Sequence, residues 1–410
     1  MAVFLPRWQK KALEQAMSTR RILLLSGPRQ CGKTTLARQL QSTSIQYLTL
    51  DDLTLKEAAE NDPHEFVKHR ANTLIIDEVQ RVPTLLPAIK KVVDEDNRSG
   101  QYLLTGSANI QSMPNVQESL AGRVAKIRLR PLSQGEQQQK KPDFLKRAFA
   151  QSFTCNHSHY DRDAILEMAI KGGFPEALKL SDRNRKSWHL DYLDALLERD
   201  LKDIAKIHRK EAMRELVAVL AAWSSKFMDI SGIGAGLAIR RPTIESYMNA
   251  LETLYLVERV RPWTKTDYDR VGKQSKLFMA DGGLMASILG WRIDQIRLDS
   301  DRSGKLVETF AFNELAAQVD ADAFEYQLYH YRDREKREID FIIEREDGAL
   351  LGIEIKASSS VSKSDFKHLT WFQKNLAKED QFVGIVLYSG EHIASFGNNL
   401  WAIPFGVLWA

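Results

Sequence analysis

One short segment near the N-terminus limits the fold of this 410-residue chain more than any other feature. The segment Gly27–Thr34 (GPRQCGKT) satisfies the pattern GxxxxGK[ST] in full. It follows an apolar run, Arg21–Ser26, and precedes a run with helical spacing, Thr35–Leu40. A strand, this loop and a helix, in that order, form a phosphate-binding loop. From Arg21 to about Leu132, strand-like runs alternate with amphipathic stretches, so the sequence predicts an α/β fold, a parallel sheet covered by helices on both faces, with a triphosphate site near its N-terminal end. The predicted strands are Ile22–Leu25, Ile45–Leu50, Leu74–Ile76, Tyr102–Leu104 and Ala125–Leu129.

The parts of the loop have distinct roles in binding a phosphate chain. Glycines let successive backbone N–H groups point at the β-phosphate, Lys33 adds positive charge between the β- and γ-phosphates, and Thr34 can ligate Mg²⁺. An accidental match in a glycine-containing turn is the alternative. We expect ATP and Mg²⁺ as cofactors, with nucleotide contacts from Gly27, Pro28, Arg29, Gln30, Cys31, Gly32, Lys33, Thr34 and Thr35.

Two carboxylates support this interpretation of the loop. Asp77 and Glu78 directly follow the apolar run Thr73–Ile76, which is the Walker B arrangement. Asp77 would hold Mg²⁺ through water, and Glu78 would polarise the water that attacks the γ-phosphate. A solvated turn is the alternative, but a complete loop motif and this pair within one domain argue against coincidence.

Further candidates follow the next two predicted strands. Ser107 and then Asn109, after the strand Tyr102–Leu104, are our first and second choices for a side chain that senses the γ-phosphate. An ordinary polar turn explains them equally well. Arg123, before the strand Ala125–Leu129, is a candidate finger for transition-state charge, supplied within the chain or to a neighbouring copy. A lone arginine is more often a surface or packing residue.

Charge and cysteine content limit the partners and the compartment. Lys and Arg total 58 against 54 Asp and Glu, a net charge of +4, so contact with DNA requires local basic patches. Two cysteines, Cys31 and Cys155, fit a reducing cytosol better than a secreted disulfide framework. No apolar run approaches the ~18 residues of a membrane span. We therefore expect a cytoplasmic protein without membrane contact.

A region in the middle of the chain has the pattern of a winged helix. Three amphipathic runs, Glu211–Trp223, Asp229–Leu237 and Arg241–Leu254, precede two strand-like runs, Tyr255–Val260 and Lys276–Met279. Glu245 and Glu252 have the wrong charge for DNA, so contact with a protein stays open. Candidate phosphate contacts are Arg240, Arg241, Lys265, Arg270, Lys273 and Lys276.

Near the C-terminus, charged residues interrupt two apolar strands. Asp340 lies in one predicted strand, and Glu354 and Lys356 lie in the next, Leu350–Ala357. Strand side chains repeat every two residues, so Glu354 and Lys356 share one face. Buried charges require a partner or a metal. A salt-bridged pair on an exposed strand is the alternative.

The order Asp…Glu-x-Lys resembles the PD-(D/E)xK nuclease core. The resemblance implies that Asp340 and Glu354 bind Mg²⁺ and that Lys356 helps to activate water. The helix before the first strand supplies a further acid in such cores, and Glu308 occupies that place, with Glu314 as the second choice.

Several motifs together resemble bacterial and archaeal AAA-type ATPases that join an N-terminal P-loop module to a C-terminal region of unknown function. The motifs are GPRQCGKTTL, LIIDEVQ, LLTGSAN, LAGRVAKIRLRPLS, KGGFPEAL and LLERDLKDI. The likeness covers nearly the whole chain and implies an AAA-like core with an additional strand. We expect an ATPase domain at 1–140, a helical connector or lid at 141–208, a winged helix at 209–284 and a nuclease-like α/β domain at 285–410.

Two functions follow from these patterns. The first is an ATP-hydrolysing enzyme coupled to a Mg²⁺-dependent nuclease that acts in DNA processing, repair or defence. The second is a nucleotide-controlled switch or scaffold that binds nucleic acid or a protein partner without cutting, and a transcriptional regulator is a third. DNA is the favoured partner, and self-association stays open.

Overall fold

The computed structural model describes residues 5–106, 122–153, 160–200, 210–237, 239–265, 274–322, 325–377 and 381–409. The predicted residues Ser107, Asn109, Cys155, Arg270 and Lys273 lie outside these ranges. The backbone forms two compact units. The first combines Met1–Pro131, Glu198–Ile207 and Asn249–Leu256, and the second combines Leu132–Leu197, His208–Met248 and Val257–Ala410. The predicted division into four consecutive domains stays a prediction.

A five-stranded parallel sheet forms the centre of the first unit, which confirms the predicted sheet. Its spatial order is β2-β3-β4-β1-β5. The strands are β1 (Ile22–Ser26), β2 (Ile45–Thr49), β3 (Thr73–Asp77), β4 (Tyr102–Gly106) and β5 (Val124–Arg128). Its helices are Gln9–Thr19, Lys33–Gln39, Leu53–Asn61, Pro63–Phe66 and Leu85–Glu95.

Helices cover both faces of this sheet, which explains the largely apolar, fully buried strands β1, β3 and β4. Alternate residues of β1 enter separate cores: Leu24 packs with Ile76 and Leu104 on one face, and Leu25 packs with Ile75 on the other. Because β1, β3 and β4 are buried along their whole length, their carboxyl ends have fixed positions at one edge of the sheet.

The second unit contains a six-stranded mixed sheet with the order β13-β14-β12-β11-β10-β9. Strands β9, β10 and β11 are antiparallel neighbours, and β12 pairs parallel to β11. The helix Ser300–Ala321 precedes β9, and the helix Lys367–Asn375 lies between β11 and β12. The strands are β9 (Tyr326–Arg332), β10 (Glu338–Arg345), β11 (Leu350–Lys356), β12 (Phe382–Tyr388), β13 (Ala394–Gly397) and β14 (Leu400–Pro404).

A three-stranded antiparallel sheet with the order β6-β8-β7 also belongs to the second unit. It contains β6 (Lys226–Phe227), β7 (Val257–Val260) and β8 (Lys276–Met279). The three helices and two strands of the predicted winged-helix pattern are present, and β6 is an additional strand. The pattern's helices are Lys210–Ala222, Ile230–Gly234 and Arg241–Thr253.

Six other α-helices are described for the second unit, four before β6 and two between β8 and the helix Ser300–Ala321. They are Gln134–Gln137, Phe144–Phe149, Arg162–Lys171, Asp182–Ala195, Gly282–Ile288 and Ile293–Leu298. Within the described ranges, no helix combines the length and the apolar character that crossing a membrane requires.

Candidate functional site

The backbone of the phosphate-binding loop requires glycine at two positions. Gly27 and Gly32 have φ angles of 151° and 103°, in the region that disfavours a side chain. A β-carbon at Gly27 would lie 2.1 Å from the carbonyl oxygen of Leu129. Between them, Cys31 is fully buried, and its Sγ lies 3.4 Å from the same carbonyl oxygen. Only the backbone of Cys31 therefore faces a loop ligand.

Lys33 directs its ammonium group into the loop. Its Nζ donates hydrogen bonds to the carbonyl oxygens of Gly27 (2.9 Å) and Pro28 (2.7 Å), and the residue is only 5% exposed. These carbonyls hold the charge beside the loop's backbone N–H groups. The amine is thus in place to donate to phosphate oxygens bound by the same loop.

Arg7 stabilises the backbone of the phosphate-binding loop, and this role was not predicted. Its guanidinium donates to the carbonyl oxygens of Cys31 and Arg130, both at 2.7 Å. These hydrogen bonds join the loop to the segment that follows β5. No motif contains Arg7, so no local pattern could have identified it.

Asp77 accepts hydrogen bonds from three hydroxyl groups at the carboxyl end of β3. The Thr34 hydroxyl lies 3.0 Å from Oδ2, the Tyr47 hydroxyl lies 2.8 Å from Oδ2, and the Thr105 hydroxyl forms a short contact with Oδ1. Asp77 is 1% exposed, so these donors stabilise a charge that water reaches poorly. Tyr47 and Thr105 were not predicted as site residues.

Glu78 has a backbone conformation that is unusual for a residue with a side chain. Its φ of 59° lies in the left-handed region, at a cost on the order of 1 kcal/mol or more. The backbone N–H of Glu78 donates to the Thr105 hydroxyl at 3.1 Å, and its carboxylate contacts the Gln80 amide. Thr105 therefore links Asp77 to Glu78.

The oxygen donors around Asp77 fit Mg²⁺. The Thr34 hydroxyl and the Asp77 carboxylate lie side by side at the start of the helix Lys33–Gln39. Mg²⁺ in nucleotide sites takes one or two protein oxygens, with water and phosphate completing the shell. A larger protein cage is absent, because no group of three or more His, Cys, Asp or Glu side chains in the described ranges could hold a metal.

Arg123 lies at the amino ends of the parallel strands, whereas the phosphate-binding loop lies at their carboxyl ends. It directly precedes β5, whose last residue, Arg128, pairs with Ser26 at the end of β1. The five residues of β5 span about 16 Å, which separates Arg123 from the end of the sheet that carries the loop. Arg123 instead pairs with Asp94, with Nε 2.5 Å from Oδ1. Arg123 is therefore not beside the phosphate-binding loop in this structure, and its role as an arginine finger, within the chain or toward a neighbouring copy, stays a prediction.

The C-terminal acids converge on a lysine that was predicted to contact DNA. The Nζ of Lys276, on β8, lies 2.6 Å from an oxygen of Glu308 and 2.9 Å from oxygens of Glu338 and Asp340. Lys276 is 1% exposed, so it cannot contact a DNA phosphate in this conformation. We call Lys276 and these three acids the carboxylate cluster.

Burial and mutual attraction act in opposite directions on the pKa values of this cluster. Burial acts to lower the pKa of Lys276, but the charges of Asp340, Glu308 and Glu338 outweigh burial, so the pKa is raised above its usual value. Burial acts to raise the pKa of Asp340, but Lys276 and the N–H of Ile355 outweigh it, and the pKa is lowered. Burial dominates at Glu308 and raises its pKa to about 8.

Glu354 lies beside the cluster, whereas Lys356 pairs elsewhere. Phe341 of β10 lies opposite Ile353 of β11, and the two strands are antiparallel. The same register therefore places Glu354 opposite Asp340. Burial raises the pKa of Glu354, and the charge of Asp340 adds to the increase. The Nζ of Lys356 lies 3.6 Å from Asp365, outside the predicted tetrad, and the charge of Lys356 also acts to lower the pKa values of Asp340 and Glu354.

Glu314, the second choice for the helix acid, belongs to a different site. Its carboxylate accepts the backbone N–H of Gln134 at 2.8 Å, and burial raises its pKa to about 8. The structure thus brings together Glu308, Asp340 and Glu354 but not Glu314. A divalent ion does not fit the carboxylate cluster in this conformation, since the Lys276 ammonium lies among the oxygens that would bind it.

Three stretches of the chain match known families. Residues 19–138 match a family described as "AAA domain". Residues 162–295 and 303–408 match two families described as domains of unknown function, DUF8612 and DUF4143. The first match covers the parallel sheet, the phosphate-binding loop and Asp77.

Similar proteins are known from sequence and from solved structures. An uncharacterized protein of Mycobacterium tuberculosis is 28% identical over 397 residues, which is 96% of this chain and 82% of the relative. The RuvB Holliday junction branch migration motor of Thermotoga maritima is 18% identical, covering 63% of this chain and 90% of that one, with a TM-score of 0.28. DnaA of Aquifex aeolicus is 13% identical, covering 59% and 85%, with a TM-score of 0.27. The chain thus carries an AAA-type P-loop ATPase domain near its N-terminus, followed by two regions that match families of unknown function.

Proposed function

We propose that this protein binds ATP at the loop Gly27–Thr34 and hydrolyses it. The observation that carries the proposal is the convergence of Lys33, Thr34 and Asp77 at the carboxyl ends of the parallel strands β1 and β3, where ligands of such sheets bind. The loop amides and the Lys33 ammonium would hold the β- and γ-phosphates in place.

Glu78 is the residue that we assign to the attacking water. Its strained backbone and the hydrogen bond from its N–H to Thr105 fix the start of the side chain beside Asp77. A carboxylate in this position can accept a hydrogen bond from water and orient it toward the γ-phosphate. Thr34 and Asp77 would hold Mg²⁺, which neutralises charge on the phosphates when bound.

Phosphate release from ATP tests this proposal. Lys33→Ala should abolish both nucleotide binding and hydrolysis, whereas Glu78→Gln should keep binding and lose hydrolysis. Lys10→Ala is the matched control, because the Lys10 side chain is 47% exposed and forms only a long surface ion pair, 3.8 Å, with Glu14. Wild-type turnover in Lys33→Ala would refute the assignment of the loop.

For the C-terminal region we propose nucleic-acid binding without cleavage, controlled by the nucleotide. The nuclease prediction needs a metal ion bound to the acids and a Lys356 that is free to act on water. In this structure the Lys276 ammonium lies against Asp340, and Lys356 forms an ion pair with Asp365. The second predicted function, a switch that does not cut, agrees better with this arrangement.

A groove in the second unit favours nucleic acid as the ligand. Its volume is about 630 Å³, and it is lined by Phe227, Pro262, Gln274, His330, Arg332, Asp333, Arg334 and Glu335. The Arg332 guanidinium lies 4.2 Å from the centre of the Phe227 ring. Arg337 pairs with both Asp333 and Glu335, which offsets the acidic part of the lining. Arginine and aromatic groups along one groove suit a nucleic-acid backbone and its bases.

Fluorescence anisotropy with a labelled oligonucleotide, together with a plasmid-nicking assay, tests this second proposal. We expect salt-sensitive binding that the double variant Arg332→Ala, Arg334→Ala weakens by about tenfold or more. Arg292→Ala, with 72% of its side chain exposed, should bind like the wild type. Nicking that requires Mg²⁺ and disappears in Asp340→Ala would refute the proposal in favour of the predicted nuclease.

A further inference from the structure

The carboxylate cluster has the chemistry of a cation site and already contains a cation. An ammonium group has three N–H donors, and Lys276 has three carboxylate oxygens within 2.9 Å, one each from Glu308, Glu338 and Asp340. Glu338 and Asp340 accept hydrogen bonds from the ammonium, and the Glu308 oxygen lies at ion-pair distance, so three acidic side chains surround one ammonium group. Mg²⁺ would need oxygens at 2.0–2.1 Å in octahedral geometry, so it and the ammonium cannot share this position.

The backbone of Lys276 holds the amine in this position. Lys276 pairs with Phe227 of β6 on one side and with Val260 of β7 on the other, so it lies in the central strand of its sheet. The Phe227 ring lies 5.5 Å from Nζ. The strand is thus paired on both edges, which fixes the backbone of Lys276, and the side chain is 1% exposed, so the amine lies away from solvent with the acids as its ion-pair partners.

The three acids come from two other elements of the chain. Glu308 lies on the helix Ser300–Ala321, and Glu338 and Asp340 lie on one face of β10, two residues apart. Asp340 also accepts the Ile355 N–H of β11 at 2.9 Å through its other oxygen. The ion pairs thus connect the small sheet to the long helix and to the large sheet.

We propose that the Lys276 ammonium permanently occupies the position that a divalent cation would take in this cluster, so that the wild-type cluster binds no metal. Removing the amine while keeping the length of the side chain, as in Lys276→Met, would leave acidic oxygens around a space that Mn²⁺ or Mg²⁺ can enter. This inference supports the proposed absence of cleavage and is independent of ATP hydrolysis.

Titration with Mn²⁺ in the absence of nucleotide, followed by electron paramagnetic resonance, tests the inference. Wild type and Asp340→Asn should bind Mn²⁺ equally. Lys276→Met should gain one site, and the double variant Lys276→Met, Asp340→Asn should lose it. Lys226→Met, which removes a lysine from β6 of the same small sheet, should behave like the wild type.

Two outcomes would overturn the inference. One is a Mn²⁺ site in the wild type that Asp340→Asn removes, and the other is a folded Lys276→Met protein that gains no site. If Lys276→Met does not fold, the comparison of wild type with Asp340→Asn decides: equal binding supports the inference, and a loss in the variant overturns it. Failure of the ATPase proposal would appear separately, as wild-type phosphate release in Lys33→Ala.

Discussion

At the scale of single residues, hydroxyl groups rather than further charges complete the nucleotide site. Thr105 forms hydrogen bonds with both Asp77 and the backbone N–H of Glu78. Thr105→Val keeps the shape of the side chain but removes both bonds, at a cost of about 1–3 kcal/mol for each buried group left unpaired. We expect ATP turnover to fall by at least tenfold, with nucleotide binding less affected.

A threonine on β3, which lies beside β4 in the sheet, provides the control for Thr105→Val. Thr73, at the other end of β3, is also buried and donates to the carbonyl oxygen of Gly100 at 2.6 Å. Thr73→Val should reduce the free energy of unfolding by a comparable amount and leave turnover per folded molecule unchanged. Equal turnover in the two variants would show that Thr105 acts on stability alone.

Glu314 predicts a pH dependence of stability. Burial raises its pKa from 4.5 to about 8, so the folded protein binds a proton that the unfolded chain releases above pH 4.5. The free energy of unfolding should therefore fall as the pH rises from 4.5 to about 8, by a few kcal/mol at most. Glu314→Gln keeps an oxygen for the Gln134 N–H and should remove this contribution.

Urea unfolding of wild type and Glu314→Gln at pH 5 and pH 8.5 measures this effect. We expect the variant to gain stability relative to the wild type at the higher pH. Asp320→Asn, a substitution near the end of the same helix, controls for the loss of one negative charge. An equal difference between Glu314→Gln and wild type at both pH values would contradict the expectation.

Some residue roles could be predicted from the sequence, and others could not. The loop and the pair Asp77–Glu78 are each recognisable from a local pattern after an apolar strand, and the carboxyl ends of parallel strands lie at one edge of the sheet, so their meeting could be predicted. Lys276 lies 32 residues from Glu308 and 64 from Asp340 along the chain, and no spacing rule connects them. Its short strand resembles an exposed wing in sequence, and only the pairing of β8 in the centre of a sheet buries it.

At the scale of elements, the motif KGGFPEAL has a structural explanation. Asp281 accepts the Gly173 N–H at 2.6 Å and also caps the helix Gly282–Ile288 through the Leu284 N–H at 2.8 Å. A β-carbon on Gly173 would lie 2.2 Å from the Leu132 carbonyl oxygen. The glycine is therefore needed for close packing of these segments, and no nucleotide has to be invoked.

Asp281→Ala should destabilise the protein by about 2–4 kcal/mol, because it removes a helix cap and leaves a buried N–H unpaired. Asp229→Ala is the matched control, since Asp229 caps the helix Ile230–Gly234 by one hydrogen bond to the Ser231 N–H. We expect a loss of about 1 kcal/mol there. Equal losses in urea unfolding would show that the bond to Gly173 contributes nothing.

Element length decided which elements the sequence could predict. The five parallel strands were predicted to within a few residues, because each is an apolar run bounded by polar turns. Strand β6 has two residues, too few to show any periodicity, and it was missed. The helix Gln134–Gln137 was missed for the same reason, although Ser133 and Glu136 form a capping box at its start.

At the scale of the whole molecule, compact units do not follow chain order. The first unit includes Asn249–Leu256, which lies more than a hundred residues after Pro131. Composition and turn signals mark boundaries along the chain, but they do not show which distant segments pack together. The division into four consecutive domains therefore stays a prediction about the order of motifs along the chain.

The proposed switch requires that the nucleotide changes nucleic-acid affinity across the whole molecule. Coupling between two sites is typically worth 1–3 kcal/mol, so we expect oligonucleotide affinity to differ by about tenfold between a non-hydrolysable ATP analogue and ADP. Lys33→Ala should bind the oligonucleotide with one affinity under both conditions, because it cannot bind either nucleotide. Lys10→Ala should retain the difference. Fluorescence anisotropy measures all of these affinities, and equal wild-type affinities would leave an ATPase without control over nucleic-acid binding.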